Sequence, residues 1–439
     1  MKIVHNYPEK TSTKDKKMKR PKMLILSGIF PFENGEPFLE QEVELLADHF
    51  DVFILPCGAK STEQTYCVPK NVNILYKEAE IIIVSRKRLF PLLKYLLFSI
   101  SLLVGEGFRN PCFFHPLGFA KALWRAIRAN IIAPIIGRIC KEENIDIIYS
   151  YWMSYEALAA IIAVKKLGSK VITLTRAHRH DLYDYANYPK FCPFQDYIIN
   201  NIDHVVTISK DGENYLKARY DSQSKKITTF RLGVSPGAIT EPSNDGVFRI
   251  VSCSALKPVK RVQYIAQALQ FIDFPIEWIH IGDGPDREKI KSIIEKILSI
   301  KQNVSVKLLG SMPNHEVLNF YGTHPVDLFI NVSSSEGIPV SIMEAISRGI
   351  PSIATDVGGT SELINPKLGG GWLLPPKVSP EEIAKLMIKI RNLKLHITER
   401  EKTFSLWKNR FDARVNFSIF AKWLTNLQGS RNSEGMGSE

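Results

Sequence analysis

The chain has 439 residues, 45% of them hydrophobic and 23% charged, more than one compact core uses, which excludes a peptide hormone or a small binding module and predicts two domains. Its 57 Lys and Arg against 45 Asp and Glu leave a net charge of +12, favouring nucleic acid, anionic lipid or phosphorylated substrates as partners without choosing among them. Six cysteines lack any CxxC pair, so neither a zinc site nor a disulfide framework is suggested, and a reducing cytosol is the expected compartment.

The first 22 residues carry eight Lys or Arg, but no apolar h-region follows at once, so residues 1–21 read as a basic, disordered arm and not a signal peptide. From Lys22 onward the pattern alternates: a strand at Met23 to Leu26, an amphipathic helix at Phe38 to His49, then strands at Val52 to Leu55, Ile145 to Ser150, Val171 to Thr175 and His204 to Ser209. Such alternation predicts a parallel, doubly wound α/β domain. Residues 85–136 stand apart, because they combine Arg86, Lys87 and Arg88 with the apolar run Tyr95 to Val104 and with Trp124, Arg125 and Arg128. The run is about half the roughly 20 residues a spanning helix needs. It reads either as a core-facing helix or as an interfacial one, and the basic balance tips the reading toward contact with an anionic membrane.

Turn formers crowd between Leu232 and Val247, where the two domains should join. The cycle then restarts with strands at Phe248 to Cys253, Ile276 to Ile281, Ser305 to Leu309, Asp327 to Val332 and Pro351 to Ala354. Val415 to Leu427 reads as an amphipathic helix that returns onto the first domain through Phe417, Phe420, Trp423 and Leu424, and residues 429–439 read as a disordered tail.

The most informative segment is 333–363. A buried strand ends there in small polar residues, and a helix opens at Pro339, leaving the amides of Gly337, Ile338, Val340 and Ser341 free for an anion at the carboxyl edge of a sheet. Glu336 and Glu344 lie eight residues apart along one side of it, where carboxylates can take sugar or ribose hydroxyls. A bare pair at that spacing is common, and its plain reading is two helix acids.

The whole set, Glu336, Gly337, Pro339, Glu344, Ala345, Gly349, Pro351, Thr355, Gly358, Gly359 and Glu362, resembles the retaining glycosyltransferases of family 4, which have the GT-B fold. The resemblance extends to Gly282-Asp283-Gly284-Pro285, to Leu309-Gly310 with Asn314 to Tyr321 beyond it, and to Asp327-Leu328-Phe329, and covers most of 248–365. It implies two Rossmann-like domains facing a cleft: 22–235 for the acceptor, with 85–136 as the candidate membrane-contacting region, 247–405 for a nucleotide-sugar donor, and 406–428 as helices crossing back. It also implies that Glu336 meets donor-sugar hydroxyls, that Glu344 meets the ribose, that the amides from Gly337 through Ile338 and Pro339 to Val340 frame the sugar or phosphates, and that Gly282, Gly284 and Ser311 border the base.

After the first strand of the second domain, Lys257, Lys260 and Arg261 gather at a strand-to-helix turn, where cations can neutralise a diphosphate leaving group. The family's usual arginine ahead of the lysine is absent here, replaced by Ser254 and Ala255, so Lys260 is assigned with Arg261 or Lys257 as its partner, Arg261 preferred. Beyond the strand ending at Thr175 lie Arg176, His178 and Asp181. His178 and Asp181 match the family's Thr-x-His-Gly-x-Asp motif, with Arg179 in place of its glycine. Read without the resemblance, His178 is a surface-loop histidine; with it, His178 faces donor and acceptor, Asp181 orients them and Arg176 adds charge. Gly35 and Glu36, in the loop after the first strand, resemble the acceptor loop, although Glu36 also reads as an N-terminal helix acid.

The resemblance implies retaining sugar transfer. No Asp-x-Asp triplet is present, which fits diphosphate binding by cations and helix dipoles, so no cofactor and no obligatory metal are expected. The acceptor is expected to be a saccharide or lipid-linked saccharide of surface polysaccharide or lipopolysaccharide synthesis, in the cytoplasm at the inner face of the membrane, and nucleic acid becomes the least favoured partner. Two rivals remain open: another GT-B enzyme such as a sugar-nucleotide epimerase, and a non-catalytic protein that binds anionic ligands or membrane on the same scaffold.

Overall fold

The computed structural model describes residues 20–436 apart from 34, 87, 88, 169 and 170, with side chains 89–94 and 430–436 also outside the description. The basic arm up to residue 19, residues 437–439 of the tail, and Lys87, Arg88 and the side chain of Lys94 therefore lie outside the described residues, while residues 429–436, expected to be disordered, continue the last helix.

Two parallel sheets account for the strands. In the first, β1 (Lys22–Ser27), β2 (Asp51–Pro56), β3 (Val72–Ile74), β4 (Ile147–Ser150), β5 (Ile172–Ala177), β6 (His204–Thr207) and β7 (Ile227–Thr229) run in the order β3-β2-β1-β4-β5-β6-β7. In the second, β8 (Phe248–Cys253), β9 (Ile276–Ile281), β10 (Val304–Gly310), β11 (Leu328–Asn331), β12 (Ser352–Thr355) and β13 (Gly371–Leu374) run β10-β9-β8-β11-β12-β13. Both sheets are doubly wound, as the alternating pattern predicts, and each reverses its strand order beside its first strand: between β1 and β4, and between β8 and β11. Crevices at the carboxyl ends of strands open at such reversals, which fixes where ligands can bind.

The central strands are continuous apolar runs because helices cover both faces, so Met23, Leu24, Ile25 and Leu26 are all fully buried. Three strands absent from the sequence reading, β3, β7 and β13, lie at sheet edges and have three or four residues, too short for a periodic signal.

The unusual stretch after residue 85 forms two long helices, Leu89–Arg109 and Pro116–Glu143. Leu103, Ala122, Ala126, Ala129 and Ile136 bury one side of the pair in the first core. The core-facing alternative holds for that side of the apolar run, and the other side leaves Leu97, Phe98, Ile100 and Val104 exposed. Among the described residues no helix is long and apolar enough to cross a membrane.

The last helix, Ala413–Met436, follows Arg400–Arg410 and crosses between the domains. Phe417 packs with Trp407 and Phe411 in the core around β11 and β12, whereas Phe420 and Leu424 pack in the first domain beside Leu39 and Tyr149.

Candidate active site

At the second sheet's reversal, the loop after β8 and the loop after β11 meet. Lys260 Nζ donates to Glu336 Oε1 at 2.7 Å, and Asn331 Nδ2 approaches the same oxygen at 3.4 Å. Ser334 N donates to Val259 O at 2.8 Å, tying the two loops through backbone. Lys260 is a quarter exposed and Glu336 nearly buried, so the pair sits at the wall of the cleft.

The loop 336–339 is held closely from behind. Gly359 N donates to Gly337 O at 2.6 Å. Gly358 has φ of +55°, and a Cβ there would stand 2.1 Å from Glu336 O, so only glycine fits. Pro339 caps the helix Val340–Ile346, one residue before its first turn.

Glu344, on that short helix, is buried and accepts a hydrogen bond from Asn314 Nδ2 at 2.6 Å. Burial pushes its carboxyl up to about 7, against the opposing pull of Asn314 and Arg348. Gly282 and Gly284 lie in a turn pressed against the loop after β8: a Cβ on Gly282 would meet Ser254 O at 2.0 Å, and one on Gly284 would meet Leu256 O at 2.5 Å. Gly282 N also donates to Gly310 O at 2.8 Å, which brings the exposed Ser311 beside the same turn.

Arg261 points away from the cleft. Its Nε, Nη1 and Nη2 donate to the carbonyls of Val332, Pro376 and Ser333 at 2.7, 2.9 and 2.8 Å, so the guanidinium is spent on holding the loop after β11. The preference for Arg261 as the second diphosphate cation is corrected accordingly. Lys257 is exposed, and the charges that depress the His180 imidazolium, after burial itself, are Arg179, Lys257, Lys260 and Lys121. Positive charge therefore does converge on the cleft, but through Lys257, Lys260 and Arg179.

Arg179 also joins the domains. Its Nε donates to Ser335 Oγ at 2.8 Å, and a Cβ on Gly337 would stand 3.2 Å from its Cβ. A second clasp lies nearby: Glu362 accepts from Arg231 Nε and Nη2 at 2.9 and 2.5 Å and from Lys210 N at 2.6 Å. Neither Arg179 nor Glu362 was assigned a role from sequence, because their partners are about 130 to 156 residues away.

On the first-domain side, His178 is buried against Trp152 and Tyr151, with ring centroids 4.4 and 4.9 Å apart. Neither ring nitrogen has a partner, and burial followed by the Arg176 charge holds the imidazole well below its usual range, hence neutral. The surface-loop reading fails for His178. Asp181 takes His178 N at 2.6 Å and Met153 N at 2.7 Å, binding the ends of β4 and β5 together, and burial raises its carboxyl to about 6.

Arg176 and Glu36 are corrected too. Arg176 is fully buried in the first core, paired with Glu42 at 2.6 Å and lying over Phe420 at 4.8 Å, so its guanidinium is not open to a ligand and acts on the site only through its field on His178. Glu36 is buried and accepts from Gly28 N, Ile29 N and Phe30 N at 3.0, 2.7 and 2.7 Å and from Trp152 Nε1. It shapes the loop after β1 from within and is not open to a ligand; Gly35 beside it is packed so that a Cβ would meet Ile29 Cδ1 at 2.3 Å.

A cavity of about 380 Å³ opens at the first sheet's reversal, lined by Gly28, Arg125, Trp152, Glu156, His180 and Asp181 among others. Glu156 is buried with Oε2 unpartnered, and burial raises its carboxyl to about 8. Sequence reasoning missed it, since one acid in an alanine-rich helix carries no signal. Among the described residues no cluster of three or more His, Cys, Asp or Glu is placed to hold a metal.

The comparisons agree with this architecture. Residues 240–404 match the family Glycosyl transferases group 1. An uncharacterized glycosyltransferase of Methanocaldococcus jannaschii is 28% identical over 291 residues, 64% of this chain and 77% of its own. An O-antigen biosynthesis glycosyltransferase of Escherichia coli, WbnH, is 29% identical over 185 residues, 42% of this chain and half of its own length. The solved structure of HepE from Anabaena, in complex with UDP and glucose, superposes with a TM-score of 0.60 at 15% identity over 92% of this chain and all of its own. The fold is GT-B, and residues 240–404 are what matches the group 1 glycosyltransferases.

Proposed function

We propose that the protein is a retaining glycosyltransferase that moves a sugar from a nucleotide-diphosphate sugar to a saccharide or lipid-linked saccharide acceptor of cell-surface polysaccharide or lipopolysaccharide synthesis. The observation that carries the reading is the Lys260–Glu336 pair at the second sheet's reversal, with Arg179 of the first domain bonded to Ser335 of the same loop. HepE is described with UDP and glucose, and WbnH is named for O-antigen synthesis, which favour this donor and acceptor class.

In this reading Lys260 moves from Glu336 to the diphosphate as charge builds on the departing oxygen, joined by Lys257 and the amides around Gly337. Released, Glu336 accepts hydrogen bonds from the sugar hydroxyls. Glu344 takes the ribose diol from its buried post beside Asn314. Neutral His178, with both ring nitrogens free, donates to or accepts from the sugar without competing for the phosphate charge. The acceptor hydroxyl enters on the face the nucleotide leaves. Lysine and arginine charge carries the diphosphate in this scheme, without an obligatory divalent ion or other cofactor, and the protein works in the cytoplasm at the inner membrane face.

Titration calorimetry with UDP and GDP, beside single-stranded oligonucleotides, tests the donor class. Binding of a nucleoside diphosphate that Lys260→Ala weakens supports it; oligonucleotide binding without nucleotide binding favours a non-catalytic polyanion binder instead.

A further inference from the structure

The hairpin of the two long helices has an outward face that no described element covers. Phe108 is 90% exposed and Phe114 is 75% exposed, with Leu97, Ile100, Val104 and Phe119 around them. Between this rim, Leu103, Gly107 and Phe113 floor an apolar cleft of about 350 Å³. Monomeric soluble proteins seldom leave so many large apolar side chains together in water, because each exposed ring forgoes its burial free energy.

Of the cations in residues 86–128, Arg109 is exposed and Lys121 half-buried near this face, whereas Arg86 and Arg128 turn inward onto backbone carbonyls; the single acid of that stretch, Glu106, is buried beneath the face and bonded to Phe194 N at 3.0 Å. Arg109 is exposed next to Phe108, and Lys166 lies 5.7 Å from the Phe98 ring. On the helix that carries Phe119 and Trp124, Lys121 donates to Tyr188 O at 2.7 Å and Arg125 to Pro193 O at 3.1 Å, and Arg125 also lines the first-domain cavity. A protein partner would need a matched acidic rim around an apolar plug. A bilayer of anionic lipid supplies both over any area, with hydrocarbon for the aromatics and headgroups for the cations.

We propose that the exposed face of the helices Leu89–Arg109 and Pro116–Glu143 docks on an anionic bilayer, with Phe108 and Phe114 inserted among the acyl chains and Arg109 and Lys121 at the headgroups. Where the chain is the glycosyltransferase proposed above, the acceptor is then a lipid-linked saccharide, because docking brings the mouth of the Arg125 cavity to the membrane plane. The docking itself does not depend on that activity.

The test is co-sedimentation of the full chain with vesicles of about 30 mol% phosphatidylglycerol in phosphatidylcholine, compared with phosphatidylcholine alone. Wild type is expected to bind the anionic vesicles at low salt, to lose affinity as salt rises, and to bind neutral vesicles about tenfold or more weakly. The double variant Phe108→Ser/Phe114→Ser, which alters only exposed side chains, should lose about tenfold or more of the anionic binding while its unfolding transition and UDP binding match wild type. Wild-type failure to bind, or unchanged binding by the double variant, overturns the proposal. So does a lipid-free dimer in sedimentation velocity that the variant abolishes, since the face would then join two copies. If UDP fails to bind while the vesicles do, the glycosyltransferase reading falls and the docking stands.

Discussion

Lys260 and Glu336 hold each other, and each is the other's cost when one is removed. Lys260→Ala should lower kcat/KM for sugar transfer by about 100 to 1000-fold, the usual loss for one positioned electrostatic donor, with a lowered unfolding midpoint because Glu336 stays nearly buried without its counter-charge. A steady-state assay of nucleotide release measures it, and a wild-type rate would remove Lys260 from the reaction. Glu344 offers a pH signature. Its carboxyl is held at about 7, so it is half ionised near neutrality, and ionised Glu344 accepts both hydroxyls of a ribose diol better than the acid does. UDP affinity should therefore rise as pH goes from about 6 to about 8, and Glu344→Gln should flatten that dependence in calorimetry.

Glu156 makes a stability prediction of definite sign. Its folded carboxyl sits at about 8 against an ordinary 4.5, so the unfolded chain gives up its proton first as pH rises. The native state binds more protons, and the Glu156 contribution to stability falls across about pH 4.5 to 8 and is level above and below that window. Glu156→Gln should match wild type at low pH and become the more stable protein above about pH 8, read by urea denaturation at several pH values.

At the scale of elements, Arg176 connects β5 to the helix Phe38–Leu46 through Glu42 and to the last helix through Phe420. Arg176→Ala leaves Glu42 buried without its counter-charge and should cost about 3 to 5 kcal/mol in urea unfolding. Arg176→Met with Glu42→Leu should recover most of that, since it removes both charges. A loss in the single variant confined to activity, with stability intact, would return Arg176 to the cleft. The residue also shows where sequence reasoning misleads: an arginine just past a strand's expected end reads as a site residue, but β5 runs on to Ala177, and the extra length turns Arg176 into the core.

For the whole molecule, contacts between the halves are few and polar in the cleft and apolar at the last helix. Glu362→Ala should release Arg231 and the amide of Lys210 together and raise the KM for donor, because Gly337 and Arg179 would no longer be held face to face; small-angle scattering should show a larger radius of gyration. An unchanged radius and KM would mean that the last helix alone sets the closure.

Much of the molecule was legible in the chain. The doubly wound halves followed from apolar runs alternating with helical periods, and the helix start beside Glu336 followed from Gly337 and Pro339, whereas Gly358 and Gly359 entered through the resemblance to the family 4 glycosyltransferases. Those signals are local, set by a few neighbouring residues and by backbone geometry, so the sequence by itself determined the two doubly wound halves and the crevice beside Glu336, and the resemblance added the GT-B arrangement. Which charged groups face that crevice was decided only by tertiary structure. Arg261 and Arg176 are spent on carbonyls and on a buried acid, Glu36 on its own loop, whereas Arg179 and Glu362 gain their partners from the opposite domain and Glu156 gains its cavity from three loops. A charged side chain's role depends on what it meets, and these meetings join residues too far apart in the chain for any pattern of spacing to register.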